Sequence, residues 1–365
     1  MLFTSEVIAG RKIVERGEAR DDLVAGEALW LRATVIDSVA FRNFKALRAT
    51  SLKLAPFNLV VGPNGSGKTS LIQAVLQLRT LAKLPLADPS TPLSGNPEAP
   101  EINFNFSPPF DSIEARMGCR SEMVCDLLQV KSPAPAAWGE LKQRLGRMRS
   151  FVFDSMAMAL PAARSSGELL VSNGANLSAV LALRKTRAPA DFARFAAEVL
   201  RILPEFSGFV FVTLPDDTVD LAMTLADGSG NVPSANLSQG TLYLLAVLAL
   251  AFDPAPPTVL CIEEIDRGIH PRMLREIRDA LYRLSYPASF GEKHEPVQVI
   301  ATTHSPYFLD LFRDHPEEIV ITQKHGNEAH FARLSDRADL PELLSEGSLG
   351  DMWFSGILGG VPEEP

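Results

Sequence analysis

Cysteine is scarce: Cys119, Cys125 and Cys261 are the only three among 365 residues. They show no metal-ligand spacing, and disulfides are not expected in a chain without an export signal. The first residues have no apolar stretch behind a basic start, so a secretory leader is not expected. Long apolar runs are also missing. The longest, 242–252, has eleven residues, too few to cross a bilayer. A cytoplasmic location without membrane association is the expectation. Positive charge is in deficit, with 35 Lys and Arg against 44 Asp and Glu and a formal net charge of −9. That balance argues against tight, nonspecific binding along a phosphate backbone. Two local basic runs remain, Lys142/Arg144/Arg147/Arg149 and Arg184/Lys185/Arg187, and apolar residues between them make solvated helix faces the expected reading. No internal repeat or sustained heptad occurs, which excludes long coiled-coil arms. What remains is 46% hydrophobic and 22% charged, ordinary for one large or two modest globular domains.

One octapeptide stands out. Residues 62–69 read Gly-Pro-Asn-Gly-Ser-Gly-Lys-Thr, matching G-x-x-x-x-G-K-[ST] without a gap. A chain of this length matches by chance about once in a hundred. The residues before it, 56–61, read as a short buried strand, and those after it, 70–78, as a helix. Strand, glycine loop and helix form a phosphate cradle. Backbone N–H groups turn inward, the helix N-terminus adds partial positive charge, and Lys68 reaches the β/γ-phosphates. Thr69 is placed to ligate Mg²⁺ through its hydroxyl. The motif predicts nucleoside triphosphate binding.

Elsewhere the pattern is coarser. Residues 1–30 are mixed in charge and weakly patterned, and read as a frayed or loosely docked extension. Two β-like stretches, 33–41 and 47–54, flank a turn at Arg42-Asn43-Phe44-Lys45. Seven prolines between 84 and 110 predict a surface loop. A third segment, 128–235, mixes a helical stretch (191–202) with strand-like ones (209–214 and 219–225). A second motif block begins at Asn236-Leu237-Ser238-Gln239-Gly240-Thr241 and leads into an apolar helix. The continuous apolar run 257–262 reads as a buried strand ending in Glu263-Glu264; a helix over 271–284 and a strand over 297–301 follow, the latter leading to Thr302-Thr303-His304-Ser305. Alternating strands and helices predict an α/β fold with a mostly parallel sheet. The two acids then fall at the carboxyl edge of that sheet, where ligands bind. Glu263 is expected to hold Mg²⁺ indirectly or through water, and Glu264 to orient or deprotonate the attacking water.

Five segments in this order resemble the RecF/SMC/Rad50 type of ATP-binding-cassette ATPase, in its compact prokaryotic branch. They are Phe41-Arg42-Asn43-Phe44-Lys45, the glycine loop, Leu237-Ser238-Gln239-Gly240-Thr241 as signature motif, Ile262-Glu263-Glu264-Ile265-Asp266-Arg267-Gly268-Ile269-His270-Pro271 as Walker B and D-loop, and Ala301-Thr302-Thr303-His304-Ser305-Pro306 as switch-histidine segment. Ser172-Asn173-Gly174-Ala175-Asn176-Leu177 and Leu349-Gly350-Asp351-Met352-Trp353 resemble that branch as well. The resemblance implies a P-loop NTPase of cassette type: a mostly parallel core sheet flanked by helices, an N-terminal antiparallel β subdomain and an inserted mixed lobe. The expected divisions are 1–30, 31–127 with Walker A, 128–235 inserted, 236–330 with the remaining motifs, and a tail, 331–365, packed on the ATPase.

It also implies ATP and Mg²⁺ as ligands and an ATP-dependent homodimer. Asn64, Gly65, Ser66, Gly67, Lys68, Thr69 and Ser70 would bind nucleotide from one copy, and Ser238 and Gly240 from the other. Lys68, Glu264 and His304 would carry the catalytic work, and Thr69 and Glu263 the metal. Gln129 is a candidate Q-loop glutamine by position. His270 is expected at an interface or a cap. DNA and an effector protein such as a nuclease are candidate partners, in repair or anti-phage defence. The competing readings are an ATP-binding sensor with negligible turnover and, less favoured, a transporter ATPase subunit. The Walker B segment departs from the family in carrying Ile265-Asp266-Arg267 where a Pro-acid-Asn stretch is usual.

Overall fold

The computed structural model describes residues 34–88, 92–93, 96, 98–122 and 124–359; the extension expected at 1–30 lies outside them. Strands β1 (Ile36–Phe44) and β2 (Leu47–Lys53) form a hairpin, followed by β3 (Phe57–Val61) and helix α1 (Lys68–Leu81). Then come β4 (Glu101–Phe106), β5 (Glu114–Ser121), β6 (Val124–Lys131), α2 (Pro135–Gly146), β7 (Arg149–Phe151), α3 (Ser155–Met158) and β8 (Ala162–Ala163). The chain continues through α4 (Leu177–Arg187), α5 (Pro189–Ile202), β9 (Phe206–Thr213), β10 (Thr218–Leu225), β11 (Asn231–Pro233), α6 (Gln239–Ala251) and β12 (Val259–Ile262). It ends with α7 (Leu274–Ser285), β13 (Gln298–Thr303), α8 (Pro306–Asp310), β14 (Ile319–His325), β15 (Glu328–Arg333), α9 (Leu340–Glu346) and α10 (Leu349–Phe354).

The central sheet has the order β15-β14-β3-β13-β12-β7, and all its pairings are parallel except β14 with β15. Strands β3, β13 and β12 are buried at every position because both faces are covered. Leu59 and Val61, Leu260 and Ile262, and Val299 and Ala301 face one core; Val60, Val259, Cys261 and Ile300 face the other. The first core is closed by α6, which is buried along its whole length from Gly240 to Ala251, as a helix apolar all round must be. The second core holds α1 and the five-stranded antiparallel sheet β2-β1-β4-β5-β6. A small antiparallel sheet of β8 to β11 carries α4 and α5, with Phe192, Phe195 and Phe209 clustered between them.

Several expectations change here. The proline-rich stretch 84–110 is not all loop, since β4 lies within it and pairs with β1 and β5. Its alternating Ile102, Phe104 and Phe106 are buried, and the apolar alternation overrides the flanking prolines. The hairpin turn falls at Lys45-Ala46, with β1 running on to Phe44. The division at 128 cuts through β6, and β7 joins the central sheet beside β12. The segment 128–235 is therefore not one inserted unit. Cys119 and Cys125, against expectation, form a disulfide, because the β5–β6 hairpin sets them opposite each other. Three residues of the basic runs are ion-paired: Arg144 with Glu295, Arg184 with Asp253 and Arg187 with Glu168. Arg147 and Arg149 bond the carbonyls of Pro256 and Leu170, and Lys185 lies over the Phe192 and Phe211 rings. Among the described residues no helix is long and apolar enough to cross a membrane.

One side chain fastens the two large sheets together. Gln298, fully buried at the start of β13, accepts from the backbone N–H groups of Val35 and Ile36 at 3.2 and 3.0 Å. Its amide donates to Ile36 O at 2.8 Å. Gln298→Leu strands these backbone groups away from water, so a loss of about 3 kcal/mol in unfolding free energy is expected by chemical denaturation.

Candidate functional site

Parallel pairing brings the carboxyl ends of β3, β13 and β12 to one edge. Thr303 of β13 aligns with Val61 of β3, and Ala301 with Ile262 of β12. The segments that leave this edge line a cavity of about 350 Å³. Its wall holds Asn64, Gly65, Ser66, Gly67, Lys68, Thr69 and Ser70 from the glycine loop, with Glu263, Glu264 and His304 facing them. The loop turns at Gly65 and Gly67, whose φ angles of 73° and 95° lie in the left-handed region that side chains disfavour. Gly67 then caps α1, so the first free N–H groups of that helix open toward the cavity.

Lys68 is buried, and its ammonium donates to Gly62 O at 2.7 Å and Pro63 O at 2.9 Å. Burial pushes it down to about 8, against the opposing pull of Glu264 and Glu263. Thr69 Oγ1 donates to Glu263 Oε2 at 2.7 Å, so the loop hydroxyl and the first acid converge on one point. Two hard oxygen donors suit Mg²⁺, which keeps several waters and takes phosphate oxygens for the rest of its shell. Glu264 sits in a left-handed backbone conformation, φ 50°, which is costly for a residue with a side chain. Thr302 holds it there: its Oγ1 accepts from Glu264 N at 2.9 Å and its carbonyl from Ile265 N at 3.0 Å. The Glu264 carboxylate lies 3.5 Å from the Arg267 guanidinium, both groups half exposed. Burial, then the charge of Lys68, holds the His304 imidazole below its ordinary value, which leaves it neutral at pH 7.

The signature residues are elsewhere. Ser238 caps α6, accepting from Thr241 N at 3.1 Å; neither it nor Gly240 lines the cavity. Ser238 is exposed, and its neighbour Gln239 packs on Gly268, so signature and D-loop share one surface. His270 caps the turn before α7 through its Nδ1, which accepts from Arg272 N. Gln129 is corrected: it lies on β6 and donates to Asp88 O, away from the cavity lining. The loop that leaves the sheet beside Glu263 follows β7 and carries Val152, Phe153 and Asp154, with Glu263 N bonded to Phe151 O.

Two residues facing the cavity or its rim were assigned no role from the sequence. Lys45 lines it, in a left-handed conformation at the hairpin turn and bonded to Gln73. Lys324 reaches toward Gly65 from β14. Lys45 ends the Phe41–Lys45 segment but was given no role there, and Lys324 carries no motif because it arrives through the pairing of β14 with β3.

Residues 159–310 match the family model described as "AAA domain, putative AbiEii toxin, Type IV TA system", and residues 35–94 match an "AAA ATPase domain" model. A 44-residue stretch is 48% identical to the DNA replication and repair protein RecF of Haemophilus ducreyi. That match spans 12% of this chain and 12% of RecF. Among solved structures, an SMC head bound to the C-winged helix domain of ScpA is similar with a TM-score of 0.53 at 13% identity, covering 82% of this chain and 97% of that one. An Smc head with an extended coiled coil, bound to the C-terminal domain of ScpA derived from Pyrococcus furiosus, gives 0.51 at 12% identity over 86% and 100%. At such identities the likeness speaks for the fold. No described helix exceeds 14 residues. In motif order, in its partial family-model matches and in its head-like fold the chain is similar to ATP-binding-cassette ATPases of the RecF/SMC type, and the described residues hold no long coiled-coil arm.

Proposed function

We propose that the chain binds ATP with Mg²⁺ in the glycine-loop cavity, hydrolyses it, and uses the bound nucleotide to join two copies. The observation that carries this reading is the Thr69–Glu263 contact at 2.7 Å beneath Glu264. It brings two hard oxygen donors together on a cavity that Lys68 and Glu264 also line, which supports the reading of a metal-ligating pair beside a water-orienting carboxylate. Mg²⁺ held by Thr69 and Glu263 would neutralise phosphate charge. Glu264 accepts the proton of the attacking water, and neutral His304 offers a hydrogen bond to the same water or to a γ-oxygen. Ser238 is exposed at the start of α6 outside the cavity, with Gly240 buried behind it, and a second copy would present this helix start to the phosphate from the open side. DNA repair or anti-phage defence with a partner protein is the process that fits; the local match to RecF supports a DNA-related role.

A second reading, a sensor with little turnover, draws support from Arg267, whose pairing with Glu264 competes with the carboxylate's role as base. Turnover decides between them. Under the first reading, Glu264→Gln lowers ATP hydrolysis by about a hundredfold or more and traps a dimer with Mg–ATP, measured by light scattering after size exclusion. Equal turnover in both forms overturns it.

Lys68 supplies a test of the binding site itself. Triphosphate charge favours the ammonium form and lifts the depressed amine back up. Binding at about pH 8.5 therefore takes up a proton, and affinity falls as pH rises above about 8. Calorimetry in buffers of different ionisation enthalpy reads the uptake directly; zero uptake at that pH rules out the Lys68 contact.

A further inference from the structure

Beneath the glycine loop runs β14, parallel to β3, with Ile321 aligned to Val61. The next residue, Thr322, is fully buried and lies directly under the loop. Its Oγ1 reaches Val61 O at 3.2 Å and pairs with Ser66 Oγ. Ser66 Oγ in turn reaches Pro63 O at 2.8 Å. Two hydroxyl protons thus serve three acceptors. Either Thr322 donates to Ser66 and Ser66 to Pro63, or Ser66 donates to Thr322 and Thr322 to Val61. Both arrangements tie the start and the crest of the loop to one buried point.

The loop has been shaped around this hydroxyl. A methyl group at Gly62 would overlap Thr322 Oγ1 and lie 2.7 Å from Thr322 O. The first glycine of the motif is therefore required here by the approach of Thr322. The carbonyls that this segment presents, Gly62 O and Pro63 O, are the two that hold the Lys68 ammonium. Ser66, named from the motif as a nucleotide-binding residue, is buried and spends its hydroxyl on the strut.

We propose that Thr322 is a positioning residue for nucleotide binding. Its hydroxyl, acting through Ser66 and Val61, fixes the loop in the conformation that receives a triphosphate. Thr322 does not line the cavity, so it acts entirely through the loop. The inference rests on the reading of this cavity as an ATP site.

The test is a double-mutant cycle on Mg–ATP affinity with Thr322→Val and Ser66→Ala. Each single change is expected to weaken binding by about tenfold, because each leaves a buried hydroxyl or carbonyl without its partner. The double variant should bind no worse than the weaker single one. Thr322→Ser, which keeps the hydroxyl, should stay within about twofold of the unaltered protein. In turnover, KM should rise while kcat at saturating ATP holds; a purely structural role would lower the unfolding midpoint and leave KM in place. Multiplying effects in the double variant, or unaltered affinity in Thr322→Val, overturn the positioning role. If Thr322→Val does not fold, the pair Ser66→Ala and Thr322→Ser decides: loss in the first with retention in the second supports the strut, and any other outcome overturns it. Absence of Mg–ATP binding by the unaltered chain would instead refute the ATP site.

Discussion

Parallel pairing of β3, β13 and β12 is the constraint on which the rest depends. Strand β3 precedes β12 and β13 by about two hundred residues along the chain, yet hydrogen bonding in register aligns the carboxyl ends of all three at one edge. Each is buried on both faces, because α6 and α7 cover one side and α1 with the antiparallel sheet the other. A strand buried on both faces leaves only its ends open to a ligand. The glycine loop, the paired acids and the switch histidine therefore occur where the strands stop.

That edge is electrostatically tuned by burial. Lys68 sits under the loop with two carbonyls for company, and burial lowers its proton affinity. The same environment keeps His304 uncharged. Opposing them, Glu263 and Glu264 face the cavity from β12, one engaged by Thr69 and the other by Arg267. An anionic ligand bridged to a cation would satisfy both walls at once, since each wall has what the other lacks.

How much of this was legible beforehand depended on whether the determinant was local. The glycine loop could be read because its spacing, its strand and its helix are contiguous. The acids after β12 and the histidine after β13 followed from apolar runs ending in polar residues. Strand β4 was hidden by the prolines around it, since turn residues announce themselves more loudly than six residues of alternation. Gln129 was misplaced because position along the chain says nothing of which sheet a strand joins. The basic runs looked like two clusters, but their partners Asp253, Glu295 and Glu168 come from outside them.

The sequence by itself determined the chemistry: a phosphate loop, two carboxylates, an imidazole and an exposed serine turn, each encoded by residues adjacent in the chain. Only the tertiary structure decided their company. It placed Thr69 against Glu263, set Cys119 across from Cys125, tied Gln298 to β1, and slid Thr322 beneath Ser66. It also kept Ser238 apart from the cavity. The physical reason is that side-chain type is a local property, whereas strand register brings together residues far apart in the chain, and a buried hydroxyl such as Thr322 carries no pattern until its partner is known.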